Sequence, residues 1–236
     1  MEASYQIAID QAVAWIRERF NPMGIVLTGT IIRGNPGLNS DLDIFVIHGE
    51  PYRQRIQKFF NGIPCEIFVN HPDHIWRYFE TDLKKNRPVS AHMLATGMVV
   101  SGGDNEEVQR IIKMAKEYSG RPLIPDDNLK TADRYRIATL FEDATDLKEV
   151  DPATSLYFLN RAVTEAIDFL FMAGCRTLPR AKERIRQIEE SWPEMGKLVT
   201  DYFEAREFDE KYAVARTLVE KSVGATGFFE WESERS

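Results

Sequence analysis

The residues whose types and spacing can do chemistry are Gly29, Thr30, Arg33, Ser40, Asp41, Asp43 and Glu66. Gly29-Thr30 follows the β-branched run GIVLT (Gly24–Thr28). A glycine at a strand end lets backbone N–H groups come close to an anion, and Thr30 adds a hydroxyl donor. Asp41 and Asp43 are two apart in DLDIFVIH (Asp41–His48). On a strand their carboxylates leave the same face, about 7 Å apart at Cα. Carboxylates so placed can converge on hard cations, and two Mg²⁺ ions about 3.5–4 Å apart form a clamp for in-line phosphoryl transfer. Glu66 lies in IPCEIFVN (Ile63–Asn70). If that strand pairs with the first, Glu66 faces the aspartates' side. Three carboxylates beside a glycine–hydroxyl phosphate cradle are the parts for moving a nucleotidyl group.

Each part alone is weak. Asp-x-Asp at a strand start is common in sheet proteins, and a glutamate in IPCEIFVN also fits a solvated strand face. Their co-occurrence carries the weight, because Asp41, Asp43 and Glu66 on one face repel by roughly several tenths of a kcal/mol per pair unless a cation compensates.

The elements that must position these residues alternate through the first half. Helix is predicted over Ala3–Phe20, from Ile9, Val13, Ile16 and Phe20, and Asn21-Pro22 ends it. Gly24–Thr28 reads as a buried strand, 30–39 as a Gly/Pro/Asn loop, and 41–48 as a strand with Leu42, Ile44 and Val46 on one face. A helix is expected over 51–61, a strand over 63–70, helices over 72–84 and 89–96, a strand over 98–101 and a helix over 104–118. Residues 120–128, with Pro122 and Pro125, read as a linker. Everything beyond reads as helix: 131–150, then Pro152 to about Ala173 behind Asp151 as cap, then three more near 179–190, 193–207 and 209–223. The 152–173 segment is apolar on most sides, which suits the centre of a bundle. No internal repeat is found. The expected class is α+β: a mixed β-sheet flanked by helices over 1–125, and an all-α bundle over 126–236.

Composition narrows the field. Of 236 residues, 43% are hydrophobic and 28% charged, ordinary for a globular chain. No apolar run approaches the roughly 20 residues of a membrane span, and the acidic, amphipathic N-terminus does not read as a signal peptide. Cys65 and Cys175 match no metal spacing and suggest a reducing, cytoplasmic compartment. Residues 1–125 carry 14 basic and 14 acidic side chains, so the whole net charge of −7 falls after them. Nucleic acid is not an expected partner, since no basic track stands out.

The segment GTIIRGNPGLNSDLDIFVI resembles the signature of the polymerase β-type nucleotidyltransferase superfamily: glycine-serine, two residues, arginine-glycine, a short loop, then serine-aspartate-apolar-aspartate. Thr30 stands where serine is usual and keeps the hydroxyl. In layout the chain resembles the antibiotic (aminoglycoside and lincosamide) nucleotidyltransferases, which join a small α/β catalytic domain to a helical bundle. The resemblance implies a catalytic domain over 1–125 and an acceptor-side bundle over 126–236, with the site in a cleft between them. Gly29, Thr30, Arg33 and Ser40 would hold the triphosphate, and Asp41 and Asp43 would bind Mg²⁺, two ions being expected. Glu66 would complete the metal site or take the acceptor's proton. ATP is the expected co-substrate and a small hydroxylated molecule the acceptor, antibiotics included. The rival reading is a regulatory or antitoxin-like nucleotidyltransferase acting on a protein partner.

Four further groups have blander readings. His71 and His74, at i and i+3 near a helix start, fit a capping or surface role better than a metal site. Tyr157, Phe158, Phe169 and Phe171 fit bundle core. Arg180, Lys182, Arg184 and Arg186 fit a solvated face. Glu142, Asp143 and Asp146 fit an exposed face, or a landing place for a cationic acceptor.

Overall fold

The structure is a computed structural model that describes residues 2–34, 36–37, 39–121 and 124–233. Asn35 and Leu38 of the motif loop, and Pro122 and Leu123 of the expected linker, lie outside the described residues. The chain divides into two compact units, Met1–Arg121 and Pro122–Ser236. The class is α+β: a mixed five-stranded sheet with flanking helices, and a second unit of helices.

In the first unit the order is α1 (Ala3–Phe20), β1 (Gly24–Thr28), β2 (Leu42–Ile47), β3 (Arg53–Phe60), β4 (Ile63–Asn70), α2 (Pro72–Lys84), α3 (Val89–Thr96), β5 (Met98–Ser101) and α4 (Glu106–Ser119). The sheet runs β3-β4-β2-β1-β5. β2 and β4 are parallel; β1 is antiparallel to β2 and β5, and β3 to β4. Period-2 alternation sorts the sheet's side chains onto two apolar layers. Ile44, Val46, Ile67 and Val69 pack on Ala8, Ala12 and Ile16 of α1. Val26, Phe45 and Ile47 pack on Ile75 and Phe79 of α2, Leu94 of α3 and Ile111 of α4.

One expectation is overturned. The helix predicted over 51–61 is the edge strand β3. β3 and β4 form a hairpin that pairs Phe60 with Ile63 across Asn61-Gly62. Both turn residues have positive φ, 47° and 75°. That is the backbone a two-residue type I′ turn demands, and Asn-Gly supplies it at the least steric cost. The pairing fixes the strand, while Ile56, Phe59 and Phe60 had only imitated helical spacing. Ends shift elsewhere. α4 starts after the Asn105 cap, whose side chain accepts from the Glu107 and Val108 N–H groups.

In the second unit, α5 (Asp127–Leu147) starts four residues earlier than expected, because Asp126 caps it by accepting from the Asn128 and Leu129 N–H groups. α6 (Pro152–Ala173) follows with Asp151 as cap and Pro152 in the first turn, as read. A 3-10 turn at Ala181–Glu183 leads into α7 (Arg184–Ser191), so the helix expected from Pro179 begins later; α8 (Pro193–Glu204) and α9 (Phe208–Val223) close the unit. α6 is the central helix: Leu159, Val163, Ala166, Ile167 and Phe171 meet Phe141 of α5, Ile188 of α7, Val199 and Tyr202 of α8 and Leu218 of α9.

Candidate functional site

The hydrogen-bond ladder places the chemistry. β2 and β4 are in parallel register with Asp43 opposite Glu66, β1 sets Thr28 opposite Asp43, and β3 sets Gln57 opposite Glu66. Residues directly opposite share a face, so Gln57, Glu66, Asp43 and Thr28 form one row across four strands. The face is the one packed on α2, α3 and α4, whose apolar layer takes the neighbouring row, Phe68, Phe45 and Val26. Asp41 precedes β2 by one residue. Asp41, Asp43 and Glu66 each offer a carboxylate oxygen, and the three oxygens lie within 4.8 Å of one another. Among the described residues this is the one group of three or more His, Cys, Asp or Glu side chains so placed. Asp43 and Glu66 are half-buried.

The turn after β1 closes against the same place. Gly29 is buried with φ 92°, a left-handed conformation that favours glycine. A Cβ there would fall 2.6 Å from Asp43 Oδ2, so Gly29 also makes room for the carboxylate. Thr30 and Ser40, ten residues apart, meet hydroxyl to hydroxyl at 2.9 Å, and the Gly37 N–H donates to Ser40 Oγ at 2.8 Å. The loop is thereby pinned to the start of β2. Arg33 is exposed in the turn, where its N–H donates to the Gly29 carbonyl at 3.3 Å. Behind the row, Cys65 is buried, and burial, with the Asp41 charge adding to it, pushes its thiol up to about 11. It is therefore a neutral packing residue at neutral pH.

Two groups at this site escape the sequence. Arg55 donates from Nε and a terminal nitrogen to Glu66 Oε1, and Gln57 Nε2 reaches the same oxygen at 3.4 Å. Both sit on β3, so the helix expectation hid them. Asn61-Gly62 was the signal that could have found the strand.

The remaining candidates fall into structural places. His71 caps α2, its Nδ1 accepting from the Asp73 N–H at 3.2 Å. Phe169 and Phe171 are core of the helical unit, Phe158 packs against that core and Tyr157 is exposed. Arg184 pairs with Asp168 at 2.6 Å and Arg186 with Glu190 at 2.7 Å. Asp146 is exposed, Asp143 half-buried, and Glu142 lies beside Gly227, where a Cβ would meet its Oε1 at 3.2 Å. Among the described residues no helix is long and apolar enough to cross a membrane.

No protein-family model and no curated protein matches the sequence. A solved structure does resemble it: a nucleotidyltransferase-like protein from Exiguobacterium sibiricum, at TM-score 0.54 and 13% identity, over 93% of this chain and 74% of that one. At that identity the likeness shows the fold alone: this chain shares the α+β fold of that protein.

Proposed function

We propose that the chain is a nucleotidyltransferase that uses ATP and Mg²⁺ to place an adenylyl group on a hydroxyl of a small acceptor. The observation that carries this reading is the convergence of the Asp41, Asp43 and Glu66 carboxylates on one sheet face beside the buried, left-handed Gly29. The likeness in fold to a nucleotidyltransferase-like protein supports it. The donor set fits the metal: three carboxylates, all oxygen ligands, suit a hard octahedral cation and offer no nitrogen or sulfur to a softer one. When bound, Mg²⁺ would neutralise charge on the phosphoryl oxygens as it develops.

The chain's own residues do the rest. Gly29 and Thr30 bring backbone and hydroxyl donors to the triphosphate, with Ser40 holding Thr30 in place and Arg33 available from the turn. Asp41 and Asp43 would hold the cation. The acceptor oxygen attacks the α-phosphorus, the bond to the β-phosphate oxygen breaks, and pyrophosphate leaves. The hydroxyl proton passes to Glu66 or to water; Glu66 acts either as that base or as the third metal ligand. We assign catalysis to the first unit and acceptor recognition to the second, whose acidic surface suits a cationic acceptor such as an aminoglycoside.

The test is mass spectrometry of a panel of aminoglycosides and lincosamides incubated with the protein, ATP and Mg²⁺. The expected product carries one added AMP and forms only with divalent cation. Hydrolysis of ATP to ADP with no adenylylated product, from these or from a wider set of hydroxylated acceptors, would contradict the reading.

A further inference from the structure

Glu66 does not face the two aspartates alone. From the edge strand, Arg55 and Gln57 direct their donors onto one and the same oxygen, Oε1. The ends of this ion pair differ in kind. The Glu66 side chain is 13% exposed and fixed on an inner strand, whereas that of Arg55 is 64% exposed on the sheet's edge. The Arg55 guanidinium also lies 5.3 Å from the centre of the Phe68 ring, and Phe68 is its partner in the strand register. It therefore keeps a seat on the sheet whether or not it holds Glu66.

We infer that Arg55 is the resident counter-cation of the carboxylate cluster, holding Glu66 while no divalent cation is bound and releasing it when one binds. The inference rests on the reading of this cluster as a cation site and adds a residue that sets its affinity. The physical grounds are charge and exposure. Three carboxylates with oxygens within 4.8 Å repel one another, and the Arg55 guanidinium offsets the charge of Glu66. A divalent cation brings twice that charge to all three. Releasing Arg55 costs little, because an ion pair whose cation stands mostly in water is weakly held. Arg55 is thus a positioning residue: it acts through Glu66 and opposes the cation's arrival by like charge.

The test is Mn²⁺ titration of the full-length chain, with free Mn²⁺ read by electron paramagnetic resonance, on wild type, Arg55→Gln and Arg55→Lys. Thermal melts are run with and without Mn²⁺. Removing the competing charge should tighten Mn²⁺ binding about three- to tenfold in Arg55→Gln. The melting temperature of that variant should fall below wild type without metal, and Mn²⁺ should raise it more than it raises wild type. Arg55→Lys keeps the charge and should bind Mn²⁺ within about twofold of wild type. Unchanged or weaker Mn²⁺ binding in Arg55→Gln would overturn the role given to Arg55. Absence of Mn²⁺ binding in wild type would overturn the parent reading of the site as well, so the two failures are distinguishable.

Discussion

In the N-terminal unit three acids converge, their oxygens within 4.8 Å across two strands. In the C-terminal unit, which carries the chain's entire net charge, acids are spread along helices and many meet a base: Asp127 with Lys130, Asp133 with Arg136, Asp168 with Arg184, Asp201 with Lys197. Dispersed pairs at or near the surface are worth about 0–1 kcal/mol each, so that unit holds together through its apolar core. Convergence works the other way. It concentrates like charge at one end of the sheet, where Arg55 meets Glu66, and on the function proposed above it is this concentration that would hold a nucleotide through its metal. The same charge on the two units thus has different meanings, set by geometry and not by count.

The comparison breaks most visibly if the converging aspartates prove dispensable. Asp41→Asn or Asp43→Asn should lower nucleotidyl transfer about a thousandfold or more while the fold persists, since each removes a charge from a site built on charge. Circular dichroism checks the fold, and the melting temperature without metal should hold or rise as repulsion falls. Activity within tenfold of wild type would remove these residues from the site.

Glu66→Gln comes next. It keeps size and removes charge, and should slow the chemical step by about 10²–10⁴-fold. If Glu66 is the base, nucleotide affinity stays near wild type; if it is mainly a ligand, Mg²⁺-dependent nucleotide binding weakens too. Single-turnover kinetics with calorimetry separates the two, and normal turnover excludes both.

The helical unit should respond in stability instead. Phe171 is buried on α6 with its ring edge-on to Trp192 at 5.4 Å. Phe171→Ala should cost about 3–5 kcal/mol in denaturant unfolding. Cation binding, measured in the cold, should match wild type, which would confirm that the two units carry separate tasks.

How much of this could be read from sequence depends on how local each signal is. Gly29, Asp41 and Asp43 declare themselves within fifteen residues, because a strand end, a turn and a strand start follow one another directly. The helical unit was also legible: Pro152 behind Asp151 marks a helix start, and α6 begins there. β3 was not legible by periodicity. It lies at the sheet's edge, its residues mostly exposed on both faces, so RQRIQKFF has no apolar alternation to read. Only the Asn61-Gly62 turn announced it. Glu66 was named from IPCEIFVN only on condition that its strand pairs with the first; that parallel pairing, formed past the intervening β3, is one no local pattern encodes. Arg55 and Gln57 were hidden with β3 itself.

The smallest expected effect concerns the dispersed acids. Glu142→Gln with Asp143→Asn should raise the Michaelis constant for a cationic acceptor a few-fold, and ATP binding should not change. Added salt should raise it in wild type too, as screening shortens from about 10 Å at 0.1 M to about 3 Å at 1 M. A constant flat with salt would leave the acidic half a solubilising surface only.

Binding of a nucleotide by the converging carboxylates through a divalent cation is testable without knowing the acceptor. Calorimetric titration with a nonhydrolysable ATP analogue compares wild type and Asp43→Asn, each with Mg²⁺ and with chelator. Wild type should bind with Mg²⁺, and binding should be at least tenfold weaker, by about 1.4 kcal/mol or more, when either Mg²⁺ or the Asp43 carboxylate is removed. Equal binding in all four titrations, or none in any, would contradict it.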